Sequence, residues 1–257
     1  MFTKGLLADQ LRLVLTAIQY FTRLPVPRWT GYSERQLNDA ARYFPLVGIL
    51  VGLVTGGAYL LAICVFPQSL AVLLSMLVGV LLTGGFHEDG LADACDGMGG
   101  GWDKPQVLAI MKDSRIGSYG VLGLALALAL KFAALAAVPA TQFLALAVAA
   151  HAFSRFMAVS VMATQRYVRD DDSARAKPVA QSISFAGLGC AALFAFVPLA
   201  WLGSAGVAGA TGALALRLVA AQYIFRRIGG YTGDCLGAIQ QITEIGFYLA
   251  LLAWIST

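Results

Sequence analysis

Residues 118–139 read SYGVLGLALALALKFAALAAVP, an apolar run whose only charge is Lys131. A helix needs about 20 mostly apolar residues to cross the hydrocarbon core of a bilayer, and this run is long enough. Six further runs have the same character, at about 45–66, 69–86, 141–163, 183–202, 205–225 and 236–256, the second and fifth along the chain being the shortest. The whole chain agrees: of 257 residues 59% are apolar and 12% charged, and the mean hydropathy is +0.75. Soluble domains carry about 25% charged residues, so this chain has too few to cover a surface in water. The expected fold is an all-α, polytopic, integral membrane bundle of about six or seven transmembrane helices. One domain is expected over residues 1–257. The opening segment MFTKGLLADQLRLVLTAIQYF has Asp9, Arg12 and Gln19 inside its apolar pattern. It reads as an amphipathic helix rather than a removable leader.

The runs are joined alternately by short uncharged turns, Pro67-Gln68, Pro139-Ala140 and Gly203-Ser204, and by long polar segments at 22–44, 87–117, 164–182 and 226–235. If all seven runs cross, every long segment lies on the side of the amino terminus. That side then carries all 18 Lys and Arg except Lys131, Arg155 and Arg217, and all 14 Asp and Glu except Glu244. Basic loops mark the cytoplasmic face, so the expected location is the bacterial cytoplasmic (inner) membrane with the chemistry facing the cytoplasm. The net charge of +4 forms no dense basic stripe, and nucleic acid is not an expected partner. Cys64, Cys95, Cys190 and Cys235 form no C-x-x-C pair, which argues against a zinc site or a disulfide framework. Small residues in GLVTGG (52–57) and GSAGVAGATGA (203–213) suit close helix packing.

Charge concentrated at one water interface suits an enzyme better than a transporter, which needs polar groups through the midplane. The densest chemistry lies in GGFHEDGLADACDGMGGGWDKPQVLAIMKDSRIGSYG, residues 84–120. At ~100° per residue, Asp89, Asp93 and Asp96 fall within an arc of about 60° on one helix face, with Glu88 beside them. Carboxylates that close repel unless a cation lies among them, and an oxygen-only set favours Mg²⁺ or Mn²⁺. Gly90, Gly97 and Gly99–Gly101 are expected to let backbone approach a ligand. Magnesium so held keeps phosphate oxygens in its other positions, which points to phosphoryl transfer. Lys112 and Arg115, flanking Asp113 and Ser114, are placed to offset diphosphate charge or to anchor a span end. His87 is either a proton carrier or, as lone interfacial histidines more often are, a structural residue.

A second polar constellation, RRIGGYTGDCLGAIQQITE at 226–244, contains Asp234, which can act at a site or simply cap the helix that follows. Glu244 lies within a span and is expected to face the interior in an ion pair with Arg155 or Arg217. The segment 164–182 mixes Arg166, Arg169, Arg175 and Lys177 with Asp170–Asp172, and reads as a connector or a lid. Arg23, Arg28 and Arg42 are topology determinants or phosphate contacts.

HEDGLADACDG (87–97) and KDSRIGSYG (112–120), together with FTRLPVP (21–27), YFPLVGILVG (43–52) and GGYTGDCLGAIQQITE (229–244), resemble the cobalamin synthases, the adenosylcobinamide-GDP ribazoletransferases. The resemblance runs from near the amino terminus to the last span. It implies an Mg²⁺-dependent enzyme of the last steps of cobalamin biosynthesis, working among membrane lipid on adenosylcobinamide-GDP and α-ribazole or its 5′-phosphate. GMP would be released. It further implies catalytic Glu88, Asp93 and Asp96, a metal set drawn from Glu88, Asp89, Asp93 and Asp96, and substrate contacts from His87, Lys112, Asp113, Arg115 and Asp234. A homo-oligomer is compatible with it. The competing expectation is a CDP-alcohol type phosphotransferase, but its D-G-x-x-A-R pattern is not matched where Ala94 and Cys95 follow Asp93.

Overall fold

The computed structural model describes residues 2–168 and 180–257; the span 169–179, which holds Arg169, Asp170–Asp172, Arg175 and Lys177, lies outside the described residues. Among the described residues eleven α-helices follow one another: α1 (Phe2–Phe21), α2 (Glu34–Ala40), α3 (Phe44–Ala62), α4 (Gln68–Thr83), α5 (Phe86–Gly100), α6 (Lys104–Lys112), α7 (Ser118–Ala137), α8 (Phe143–Thr164), α9 (Phe185–Phe196), α10 (Gly203–Ile228) and α11 (Gly233–Ile255). The all-α polytopic bundle expected from composition is what the chain forms. Five helical segments are long and apolar enough to cross a membrane: Glu34–Ala62, Ser118–Ala137, Ala140–Thr164, Gly203–Ile228 and Gly233–Ile255.

The two shortest runs depart from the seven-span expectation. The run at 69–86 stops at Thr83, where the chain turns by 88° into α5, so α4 and α5 together make one broken span or a re-entrant loop. Gly84 and Gly85 make this turn with φ of 70° and 71°, a left-handed region in which a Cβ is strongly disfavoured. The run at 183–202 yields only the 12-residue α9, continued by a 3₁₀ segment over Val197–Trp201. Pro198 sits in that segment, and proline has no N–H with which to continue an α-helix. The fold thus has five full spans and up to six.

Helices α8 and α11 form the middle of the bundle, and α7 and α10 lie outside them, most of their apolar surface turned outward. Helix α3 packs along α8 with backbones nearly touching: a Cβ on Gly52 would stand 2.5 Å from Val148 Cα, and one on Gly48 would overlap the His151 carbonyl. These glycines serve packing, as read from the sequence. Helix α1 is amphipathic as expected, with Thr16, Ala17 and Phe21 buried and Asp9, Arg12 and Gln19 exposed. Its carboxyl end delivers Phe21 and Tyr20 to an aromatic cluster with Phe44 and Phe86 at the α4–α5 turn.

Candidate active site

Helix α5 carries HEDGLADACDG as a continuous helix, so the acids do lie along one side of it. They differ in depth: Asp89 is exposed, Asp93 half-buried and Asp96 buried. Asp96 turns toward α7 and accepts hydrogen bonds from the Gly117 N–H to Oδ2 at 2.7 Å and the Gly120 N–H to Oδ1 at 2.8 Å. A carboxylate from another helix thus caps the first turn of α7, where N–H groups have no partner within their own helix. Among the described residues no three His, Cys, Asp or Glu side chains converge as an ion-binding group.

The glycines of this stretch do something other than the expected approach to a ligand. A Cβ on Gly90 would stand 3.0 Å from the Asp234 carbonyl oxygen and 3.3 Å from Gly237 Cα, so Gly90 is where α5 and α11 meet. Gly97 lies against Met111 and the Val107 carbonyl of α6, and Gly99 and Gly100 remain helical. Close helix contact, rather than a phosphate loop, explains them. The same contact brings the first turn of α11, with Asp234, against the first turn of α5. Asp234 is not the cap of α11: Thr232 is, its Oγ1 accepting from the Cys235 N–H at 3.3 Å.

A cleft of about 490 Å³ opens beside the α4–α5 turn, lined by Arg23, Gly84, Gly85, Glu88, Asp89 and Ile116 among others. Arg23 thereby joins the carboxylates. Its backbone N–H is tied to the Leu82 carbonyl at 2.8 Å. Arg42 instead pairs with Asp39 at 3.2 Å. Asp113 and Arg115 pair with each other at 2.6 Å on the exposed loop before α7. The hydrogen bonds from that guanidinium hold the Asp113 carboxyl down at about 2 and raise Arg115 in turn. Lys112 ends α6 on the same loop, exposed. His87 is buried, its ring stacked on Phe21 at 5.1 Å, a geometry that suits the packing reading. Arg227 donates to the Gly101 carbonyl at 2.6 Å, at the carboxyl end of α5 where a cation is favourable. The 164–182 segment is tied at its amino end, where Arg166 Nε donates to the Gly229 carbonyl at 3.1 Å, and at its carboxyl end, where the Tyr231 hydroxyl donates to the Gln181 carbonyl at 2.9 Å.

Behind Glu88 lies a buried polar network. Glu88 Oε1 accepts from Gln241 Nε2 at 3.0 Å, and Gln241 Oε1 accepts from Lys131 Nζ at 3.0 Å. Lys131 continues to Glu244 at 2.9 Å, which also meets His151 Nδ1 at 3.3 Å, Gln240 Nε2 at 2.7 Å and the Tyr248 hydroxyl at 2.8 Å. The expected partners of Glu244 are therefore wrong. Arg217 donates to Ser160 and Thr164, and Arg155 donates to the His151 carbonyl at 2.9 Å. Sequence reading missed Gln240, Gln241, His151 and Tyr248 as parts of this network. The available signal was the recurrence of polar residues at 240, 244 and 248, one helical turn apart inside an apolar run.

The family model for cobalamin-5-phosphate synthase (CobS) matches residues 13–252. The chain is 46% identical over 251 residues to the adenosylcobinamide-GDP ribazoletransferase of Shewanella frigidimarina, covering 95% of each chain. It is likewise 46% identical to the proteins of that name from Ralstonia pickettii, over 98% of this chain and 99% of the relative, and from Leptothrix cholodnii, over 96% and 97%. No solved structure matches. A match this nearly complete, on a helical membrane bundle with an acid-lined cleft, places the chain in the cobalamin-5-phosphate synthase family.

Proposed function

We propose that this chain transfers the adenosylcobinamide-phosphate moiety of adenosylcobinamide-GDP to α-ribazole or its 5′-phosphate, forming adenosylcobalamin or its phosphate and releasing GMP. The observation that carries this is the near-full-length identity to relatives of that name, joined to a cleft lined by Glu88, Asp89 and Arg23. In the reaction the ribose 3′-hydroxyl attacks the phosphorus on the cobinamide side, the P–O bond to GMP breaks, and the hydroxyl proton passes to a carboxylate.

An oxygen-only donor set beside a roomy cleft suits magnesium, which is commonly held by one or two carboxylates with phosphate oxygens and water in the other positions. We assign Asp89, which is exposed and lines the cleft, and Asp93, about one helical turn further along the same face, to hold it. When bound, the ion supplies neutralisation of diphosphate charge. Arg23 adds positive charge at the cleft, with Lys112 and Arg115 on the loop before α7 as further substrate contacts and Asp234 on the first turn of α11, which packs against the first turn of α5. The cleft opens to the cytoplasm and the bundle lies in the inner membrane, a reading supported by the concentration of Lys and Arg in the long segments.

The test is GMP release by the purified protein in detergent or liposomes, given adenosylcobinamide-GDP, α-ribazole and Mg²⁺. Ribazole-dependent GMP is expected from the native chain, stopped by chelation and by Asp93→Asn without loss of membrane insertion. Full activity in Asp93→Asn removes the metal assignment. Turnover of CDP-alcohols in place of GMP release overturns the substrate.

A further inference from the structure

Glu88 Oε2, an acceptor, and Arg155 Nε, a donor, are buried and meet no hydrogen-bonding group among the described residues. Both residues line one internal cavity of about 40 Å³, together with Lys131, His151, Gln241 and Glu244. A water needs roughly 10–15 Å³ and two to four polar partners, and this cavity offers both. The charges point the same way. Lys131 and Glu244 pair directly at 2.9 Å, and Arg155, 3% exposed, has no carboxylate within ion-pair distance among the described residues. A guanidinium so buried requires a counter-charge. Of the two carboxylates that line the cavity, Glu244 is already paired with Lys131, which leaves Glu88 to supply it.

We propose that water in this cavity bridges Arg155 Nε–H to Glu88 Oε2, and that this bridged ion pair, with Gln241 on the other carboxylate oxygen, sets the position of the first turn of α5. Arg155 and Gln241 are then positioning residues: neither touches the reacting atoms, and both act through Glu88 on its neighbour Asp89. The turn needs such a device. It follows an 88° bend, and Gly85 at the head of α5 offers no side-chain cap. Asp96 pins the far end of the helix to α7. With both ends anchored, Asp89 and Asp93 keep a fixed direction between them. The effect on catalysis rests on the function proposed above, whereas the bridge itself does not.

The full-length protein in detergent is compared with Arg155→Gln, Glu88→Gln and the double variant. The bridge predicts strong coupling: each single change lowers the thermal unfolding midpoint by stranding the other charge, and the double variant melts above Arg155→Gln alone. Additive shifts overturn it. If Arg155→Gln does not fold by itself, a folded double variant is the same coupling, and a double variant that also fails overturns the bridge. For positioning, Arg155→Gln should lower kcat roughly a hundredfold, as a misplacement of about 1 Å does, with KM for adenosylcobinamide-GDP little changed. Arg155→Lys, which keeps the charge, should recover part of that loss. A raised KM with kcat intact means that Arg155 contacts substrate, and overturns the positioning role. If the native protein releases no GMP, the proposed function fails while the midpoints still report on the bridge.

Discussion

Asp96 shows how one side chain's role changes once its neighbours are known. In sequence it is the third acid of a helical face; in the fold its two oxygens receive the Gly117 and Gly120 N–H groups. Removing a buried acceptor leaves its donors unsatisfied, at about 1–3 kcal/mol each. Asp96→Ala should therefore lower stability by about 2 kcal/mol or more, read as an unfolding midpoint in mixed micelles, whereas the effect read for Asp93→Asn is loss of GMP release. Glu244 gives a second case. Stranding a buried charge costs about 3–5 kcal/mol, so Lys131→Met should strongly destabilise the protein. Adding Glu244→Gln to Lys131→Met should return much of the lost stability, since the pair then vanishes together. Lys131 lies in an apolar run and Glu244 in another, far apart in sequence, and nothing local to either names the partner. That explains why Arg155 and Arg217 were equally good expectations.

At the scale of elements, the contact between α5 and α11 matters most. Gly90 and Gly237 let the two backbones approach so closely that the Asp234 backbone lies directly against Gly90 of the carboxylate helix. Gly90→Val introduces a branched side chain against backbone atoms 3.0–3.3 Å from its Cβ, and overpacking of this kind costs typically about 1–3 kcal/mol. Helices α5 and α11 should move apart. The expected result is a folded, inserted protein with greatly reduced GMP release, measured beside its unfolding midpoint; undiminished activity would show that the approach of Asp234 is unimportant. The acid spacing in α5 was legible because a helix repeats every 3.6 residues. The purpose of its glycines was not, because a glycine that admits a ligand and one that admits another helix look alike in sequence.

For the whole molecule, the orientation proposed above puts the long charged segments on the cytoplasmic side and the short uncharged joins on the other. Cys64 is exposed in the join between α3 and α4. In intact cells a membrane-impermeant maleimide should label Cys64 from the outer side, and should not do so if the orientation is reversed. The broken α4–α5 span does not disturb this prediction, since α3 is a full-length helix whichever way α4 continues.

Hydropathy and charge placement along the chain are enough to dictate a helical membrane bundle with every acid but Glu244 outside its apolar runs, because the solvent acts on each residue by its own polarity. The family was legible for a similar reason, since short motifs such as HEDGLADACDG keep their order along the chain. Which acid anchors a helix, which faces the cleft, and which cation meets Glu244 were decided only by the tertiary structure. Those outcomes depend on distances between helices that are remote in sequence, and on the geometry by which one buried charge finds another.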